Sequence, residues 1–467
     1  MKILLINPPW FEGSILDNLV SNNPPMGLAY IAAVLEKGGY KDTIVRDMKV
    51  SKIPIDKTGK LIDEFKPDIV GIRSATGQIT SVIKMIRIIK SINPNILCVL
   101  GGSHPSVLPE ETLKETNADI VVLGEGEITM LELVKAIDEK KSIDKVAGLY
   151  YKKDDKIIFT GRRPYIKDLD TLPMPAWNLL PDLSLYSDTS SIHETKKHAQ
   201  IINSRGCPFN CLFCDRSVYG STYRARSAKN TVDEMEILID KYQPEEIRFF
   251  DDLFTANKER VIELCNEMMR RKIKVKWCCE ARVTTVTPEL LEIMKKAGCW
   301  AISYGIESGS QKVLDILNKR ITIADVKRAV KWTKDAGIIS RGYFLIGAPG
   351  DTAETIKKTI KFAMKLNLDH AAFSLFSPYP GTEVYRNPGK YGKITAKKWD
   401  EYISYGKPAF IPHGLTEKEI QKYYKMAYLL FYIRPRNFLR LLQRIHSFSM
   451  FKEYFKAFLW SIGKSDR

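Results

Sequence analysis

Residues 204 to 214 read Ser204-Arg-Gly-Cys207-Pro-Phe-Asn-Cys211-Leu-Phe-Cys214, three cysteines spaced x3 and then x2, directly after a strand-like run from Gln200 to Asn203. Eight cysteines in 467 residues are sparse, and three of them fall in this one loop. Clustering of that kind, in a chain that opens without a signal-peptide layout, points to a metal centre before disulfides. Structural zinc wants four closed ligands, and no fourth Cys or His follows nearby, so zinc would need a distant partner. A 4Fe-4S cluster held by three Cys keeps one iron open to substrate or cofactor. On the residues alone, zinc with a remote ligand and chance spacing stay open beside the cluster.

The same loop opens a series of six β-then-helix units. Strands are predicted over Gln200 to Asn203, Glu246 to Asp251, Lys276 to Glu280, Ala301 to Gly305, Gly342 to Ile346 and His370 to Leu375. This pattern implies a partial (β/α)6 barrel of the TIM type over residues 196 to 390, with its active site at the strand C-termini. Cys207, Asp251, Asp252, Glu280, Glu307 and Gly347 fall at those ends. An Asp-Asp pair can instead cap a helix, and a Gly-rich turn can serve geometry alone. Their order and spacing behind the cysteine triad make the joint case. Cys278 and Cys279 point to opposite faces of one strand, so one can line the barrel although packing is the plainer reading, and Cys98, Cys265 and Cys299 read as core or helix-face residues.

Residues 1 to 145 alternate in the same way, with strands over Lys2 to Ile6, Thr43 to Asp47, Asp68 to Ile72, Ile96 to Leu100 and Ile120 to Leu123. Five strands with crossovers imply an α/β, doubly wound, Rossmann-like domain that binds its ligand beyond the strands' carboxyl ends. A hairpin over Val146 to Thr160 and a connector bearing Pro164, Pro173, Pro175 and Pro181 fill residues 146 to 195. No G-x-G-x-x-G follows the first strand, which argues against a dinucleotide. In its place stand Asn7-Pro8-Pro9, Pro24-Pro25-Met26-Gly27, Gly101-Gly102-Ser103-His104-Pro105 and Leu123-Gly124-Glu125-Gly126-Glu127.

Residues 391 to 467 turn basic, aromatic and helical from about Thr416. Tyr428, Phe431, Leu439, Leu442 and Phe451 are dense enough to pack on the barrel, with contact to a membrane surface as the alternative. A net charge of +17 favours anionic partners, although Lys-rich solvated faces produce the same balance, and no nucleic acid is expected. With 44% hydrophobic and 27% charged residues, the chain is neither collagenous, disordered nor a disulfide scaffold. No apolar run is long enough to span a bilayer, so the expectation is cytoplasmic, at most peripheral to the inner face of the membrane.

Cys207-x3-Cys211-x2-Cys214, with Phe213 before the last Cys, resembles the signature of the radical S-adenosylmethionine (radical SAM) superfamily. The resemblance implies a 4Fe-4S cluster whose unique iron chelates the methionine end of S-adenosylmethionine. One electron then releases a 5′-deoxyadenosyl radical that takes hydrogen from an unactivated position. Phe249-Phe-Asp251-Asp252 lies where the superfamily contacts the methionine amino group, and Glu280 ends the next strand. Gly305-Ile-Glu307-Ser308-Gly309-Ser310 resembles the ribose-binding segment. Arg320, in Asn318-Lys-Arg320, resembles the Arg that pairs with the methionine carboxylate. Tyr343-Phe-Leu-Ile346-Gly347-Ala-Pro349-Gly350 resembles the segment against adenine.

The N-terminal motifs resemble the cobalamin-binding domain of cobalamin-dependent radical SAM enzymes, and the resemblance covers roughly residues 1 to 385. It makes Asn7, Pro8, Gly101, Gly102, His104, Gly124, Glu125 and Gly126 cofactor-binding candidates. The Asp-x-His-x-x-Gly motif that supplies a lower axial His elsewhere is missing. The implied state is base-off cobalamin without a protein His ligand, with His104 a turn or tail contact.

The implied activity is most simply methyl transfer to an unactivated carbon of a small-molecule or lipid-like substrate, fed by a low-potential electron donor of the flavodoxin or ferredoxin type. Cyclisation or oxygen insertion, as in the anaerobic magnesium-protoporphyrin monomethyl ester cyclase that the layout resembles, uses the same parts. A methylthiotransferase would carry a second Cys trio in its N-terminal domain, where this chain has only Cys98. An iron-sulfur electron-transfer or sensing protein is the reading from another class, opposed by the open-site Cys spacing and the ligand-like strand ends.

Overall fold

A computed structural model describes residues 1–10, 22–154, 156–186 and 197–434. Two parallel sheets organise it. The first has the order β2-β1-β3-β4-β5-β6-β7, built from β1 (Ile3–Asn7), β2 (Thr43–Asp47), β3 (Ile69–Arg73), β4 (Leu97–Gly101), β5 (Ile120–Val122), β6 (Leu149–Lys153) and β7 (Lys156–Phe159). Strand β1 shows why this sheet is covered on both sides, since every one of its residues is buried. Ile3 and Leu5 enter the core shared with the helices Met26–Lys37 and Gly126–Asp138, while Leu4 and Ile6 enter the opposite core with Ile79–Ile92. Period-2 alternation of a strand that is apolar from Ile3 to Ile6 has no solvated face to offer. The hairpin β6–β7 joins this sheet, antiparallel to β5 through Ile120↔Tyr151, and extends its edge.

The second sheet is the open barrel, with order β15-β14-β13-β12-β11-β8 and every neighbour parallel. Its strands are β8 (His198–Ile201), β11 (Glu246–Phe249), β12 (Lys276–Ala281), β13 (Cys299–Glu307), β14 (Ile339–Ile346) and β15 (His370–Leu375). Between them, β9 (Ser204–Arg205) and β10 (Arg224–Ala225) form a two-stranded antiparallel ladder that brackets the cysteine loop. Ile247, Phe249, Trp277, Cys279, Ile302, Tyr304 and Phe344 face the surrounding helices in one large core. The alternate residues line the lumen. Low in the barrel these are buried and polar, as where the Cys278 thiol donates to Glu246 at 3.0 Å.

The C-terminal helix Glu417–Tyr432 starts with a capping box from Thr416 and Glu419. It buries Ile420, Tyr424, Ala427 and Phe431 in the barrel core, and the Tyr428 hydroxyl donates to the Phe373 carbonyl at 2.9 Å. Its aromatic face is therefore spent on the barrel. Leu439, Leu442 and Phe451 lie outside the described residues. Among those described, no helix is long and apolar enough to cross a membrane. Ahead of this helix, β16 (Gly392–Ile394) and β17 (Phe410–Pro412) pair antiparallel. The turn Trp399–Glu401 between them lies over the turn Thr76–Gln78 at the carboxyl edge of the first sheet.

Candidate active site

The cysteine loop leaves β8 at the barrel's carboxyl edge. Its stem is held from below by Asp251, whose buried carboxylate accepts from Asn203 N at 2.8 Å and Ser204 Oγ at 2.7 Å. Its far side is tied to the 317–319 turn, because Leu212 N donates to the Leu317 carbonyl at 2.9 Å and Asn318 Nδ2 to the Asn210 carbonyl at 2.6 Å. Cys207 and Cys211 are half-buried and Cys214 is exposed. Although Cys214 reaches the surface, desolvation within the loop pushes its thiol up to about 12, and the neighbouring Cys211, Cys207 and Asp252 add to the shift. Three thiols carried by one loop are a sulfur donor set suited to a thiophilic metal centre. Among the described residues no three His, Cys, Asp or Glu side chains close round a single metal ion. Three donors on an open loop suit separate irons of a cluster better than one tetrahedral zinc.

A cation already stands beside them. The Arg282 guanidinium lies 3.8 Å from the centroid of the Phe209 ring, inside the cysteine loop, and its Nη1 is 3.9 Å from Cys211 Sγ. The residue is buried and its Nη2 has no partner among the described residues. Arg282 follows Glu280 at the end of β12, and its sequence neighbourhood marked a strand end without revealing this contact.

Above the loop the barrel mouth is open. Phe250 stands 53% exposed at the end of β11. Asp252 and Glu280 are also accessible. Asp252 accepts from Gly206 N at 2.8 Å, next to Cys207. Glu280 lies deep enough for desolvation to raise its carboxyl above the usual range, with Glu307 and Asp252 adding to the rise and Tyr343 and Lys319 opposing it. Three carboxylates around one mouth suit an ammonium and ribose hydroxyls.

Several sequence-predicted positions sit differently. Asp251 is wholly buried and occupied by the loop stem, and burial raises its carboxyl to about 6, so Asp252 is the member of the pair that faces the mouth. Ser308 is buried against Thr359, with 3.0 Å between hydroxyl oxygens. Ile346 shares the parity of Phe344 and lies in the helix-side core. Arg320 is turned outward, its Nε donating to Asn318 Oδ1 at 3.2 Å. The inward group is Lys319, whose Nζ is 2.7 Å from Glu307 Oε1 and 5.4 Å from the Phe213 ring centroid. Left-handed φ values at Asn318 and Arg320 rotate this turn and exchange the neighbours' directions. Gly347 has φ +77, and the side it leaves bare meets Ile420 of the C-terminal helix at 3.2 Å.

At the first sheet's carboxyl edge many of the candidate groups are engaged by protein. Asn7 is buried, donating to Asp47 Oδ1 at 3.0 Å and accepting from Arg73 at 3.1 Å, and the Pro8 carbonyl accepts from Gln78 at 2.8 Å. Gly102 has φ +112, and a β-carbon there would stand 2.6 Å from the Ser74 carbonyl oxygen. That backbone crowding accounts for this glycine, whereas a β-carbon at Gly101 would meet only the Val122 carbonyl oxygen, at 3.9 Å. Gly126 packs on Ile31, and Gly124 meets the Val218 carbonyl of the barrel. Glu125 is not open to a ligand: it is buried, accepts from Arg205 and Arg224 at 2.8 Å each, and takes Ile166 N at 2.8 Å. His104 is 1% exposed, its Nδ1 3.2 Å from Thr76 Oγ1 and its ring edge-on to Trp399 at 4.7 Å. Its Nε2 and the Ser74 hydroxyl are buried without partners among the described residues. Two orphaned polar atoms at this edge fit a ligand rich in amides, such as a corrinoid.

The two edges face each other. Gly124 meets the segment after the cysteines, and Gly381, following β15, lies between Asp215 and Val107. A profile described as the radical SAM superfamily matches residues 201–363, and one described as the B12 binding domain matches residues 14–134. The chain is 34% identical over 450 residues, 96% of each protein, to an uncharacterized methyltransferase of Pyrococcus horikoshii. It is 33% identical to the anaerobic magnesium-protoporphyrin IX monomethyl ester cyclase of Rubrivivax gelatinosus, over 90% of this chain and 75% of that one. The fold is similar to that of the radical S-adenosylmethionine methyltransferase TsrM of Kitasatospora setae, with a TM-score of 0.71, 19% identity, and coverage of 94% and 90%. The chain belongs to the radical SAM enzymes that carry a B12-binding domain.

Proposed function

We propose that this enzyme is a cobalamin-dependent radical SAM methyltransferase acting on an unactivated carbon of a small or hydrophobic metabolite. One observation carries the reading: the cysteine loop and open mouth of the barrel lie against the carboxyl edge of the domain matched to B12 binding. When bound, the cluster with S-adenosylmethionine supplies a hydrogen-abstracting radical and cobalamin a transferable methyl group.

The chain's own residues supply orientation and charge. Cys207, Cys211 and Cys214 would hold three irons of the cluster, and Arg282 places a positive charge against their loop. Asp252 and Glu280 accept the ammonium and hydroxyl donors of S-adenosylmethionine, while Lys319 neutralises Glu307 beside them. Phe250 forms an apolar wall on which a substrate carbon is held away from water. The edge around Ser74 and His104 would hold the corrinoid, with the unpartnered His104 Nε2 and Ser74 hydroxyl available to its amide side groups. Electrons enter from a flavodoxin- or ferredoxin-type donor on the exposed Cys214 side, in the cytoplasm. A second reading, radical cyclisation or oxygen insertion, is favoured by the 33% identity to the magnesium-protoporphyrin ester cyclase.

Anaerobically purified, reduced protein incubated with S-adenosylmethionine should release 5′-deoxyadenosine and methionine, measured by chromatography. A full cluster with no 5′-deoxyadenosine would remove the reading.

A further inference from the structure

Two residues before the first cysteine, Arg205 leaves its own domain. Its side chain is 2% exposed, with Nη1 2.8 Å from Glu125 Oε1 and Nη2 2.6 Å from Glu127 Oε1, so one guanidinium forks across both acidic residues of Gly124-Glu-Gly-Glu127. Tyr30 of the N-terminal domain and Tyr219 of the barrel flank it at 5.3 and 5.1 Å. Arg224, the cross-strand partner of Arg205 in the β9–β10 ladder, reaches the same Glu125 through both of its oxygens, at 2.8 and 3.0 Å. It also donates to the Ile166 carbonyl of the connector at 2.7 Å. A third arginine, Arg226, is ion-paired with Glu234 and donates to the Tyr30 hydroxyl at 3.2 Å.

Three arginines of the barrel and three glutamates therefore balance in a buried cluster, and two of those glutamates belong to the other domain. Stability alone is a weak reason for such a cluster, since a packed apolar interface holds domains at least as well. Directionality is what charge adds. A planar fork gripping two carboxylates fixes both angle and distance, which an apolar contact leaves free to slide. What it fixes here is the stem of the cysteine loop, because Arg205 is followed by Gly206, whose N–H is held by Asp252, and then by Cys207.

We propose that Arg205, forked across Glu125 and Glu127 and backed by Arg224, is a positioning device that sets the separation and angle between the cluster and the cobalamin-side edge. The Glu-x-Glu pair of the N-terminal domain is thus an anchor for the radical-generating loop. This inference rests on both cofactors being present, as in the function proposed above.

The test uses the full-length holoenzyme reduced to a paramagnetic cluster with cob(II)alamin, and reads the dipolar coupling between the two centres by electron paramagnetic resonance. Iron and cobalt contents are measured first, and wild-type protein lacking either metal overturns the functional reading and this inference with it. With both present, wild type should show one well-defined coupling. Arg205→Met and Glu127→Gln should broaden or shift it at unchanged iron and cobalt, and Arg205→Lys, a charge without a fork, should fall between. Should Arg205→Met fail to fold, the milder Glu127→Gln and Arg205→Lys carry the test. Wild-type coupling in every soluble variant would overturn the proposal, as would loss of metal in all of them, which marks a purely structural role.

Discussion

The barrel and the N-terminal domain present the same kind of edge, the carboxyl ends of a parallel sheet, in opposite states. The barrel's edge is open, with Phe250, Asp252, Glu280 and Cys214 all accessible. The N-terminal edge is largely shut: Asn7, Ser74, Gln78 and His104 are buried, and the Trp399 turn packs over His104 and the Thr76–Gln78 turn. In the barrel, side chains at strand ends face the chemistry directly. In the N-terminal domain, most residues of the glycine- and glutamate-rich motifs are consumed by packing and by the barrel's arginines. One edge exposes its polar groups, and the other keeps most of its own in protein contacts.

The largest expected effect lies at the open edge. Cys207→Ala, Cys211→Ala and Cys214→Ala should each reduce S-adenosylmethionine cleavage to the uncatalysed background, measured as 5′-deoxyadenosine. Full activity in any one of them removes the site.

At the shut edge the contrast can be read as a pH dependence. Burial lowers His104 from 6.5 to about 4. Between those values the unfolded chain binds a proton that the folded chain refuses. Stability is therefore whole above pH 6.5 and falls as the pH drops towards 4, by up to about 3 kcal/mol. Urea unfolding should show this loss in wild type and a flatter profile in His104→Gln. Equal slopes would mean that the imidazole is not sequestered.

A smaller effect is expected from the cover itself. Trp399 packs on His104 and donates to Glu115 at 2.7 Å. Trp399→Ala should cost about 2 kcal/mol, less than a fully buried Trp because the residue is only half-buried. It should lower the cobalt retained through gel filtration while leaving iron unchanged. Smallest is the tuning of the open edge by Arg282. Arg282→Met removes the cation beside Cys211 and should lower the cluster's midpoint potential by roughly 50 mV, near a tenfold change for a one-electron couple. An unchanged potential in a redox titration would show that the guanidinium acts on the loop's packing alone.

The contrast between the edges also explains what was legible in the sequence. Strand periodicity and cysteine spacing placed both sheets, the cysteine loop, Asp252 and Glu280, because these features follow from local alternation and strand-end position. Ile346 was legible only as a member of the strand, read there as part of the segment against adenine, whereas its parity with Phe344 places it in the helix-side core. Lys319 was not, because the left-handed residues on either side of it reverse which neighbour faces inward. The roles of Glu125 and Glu127 were beyond reach for another reason: their partners Arg205 and Arg224 lie 78 to 99 positions away in a different domain. Gly102 read as a cofactor-binding candidate, and only the fold shows that the Ser74 backbone crowds it.

The central claim is that the open edge and the shut edge each hold one cofactor. Elemental analysis of protein purified anaerobically from cobalamin-supplemented cells tests it most directly. About four irons and one cobalt per chain are expected. Iron without cobalt would contradict the account, leaving a radical enzyme whose N-terminal edge serves only as a scaffold for the cysteine loop.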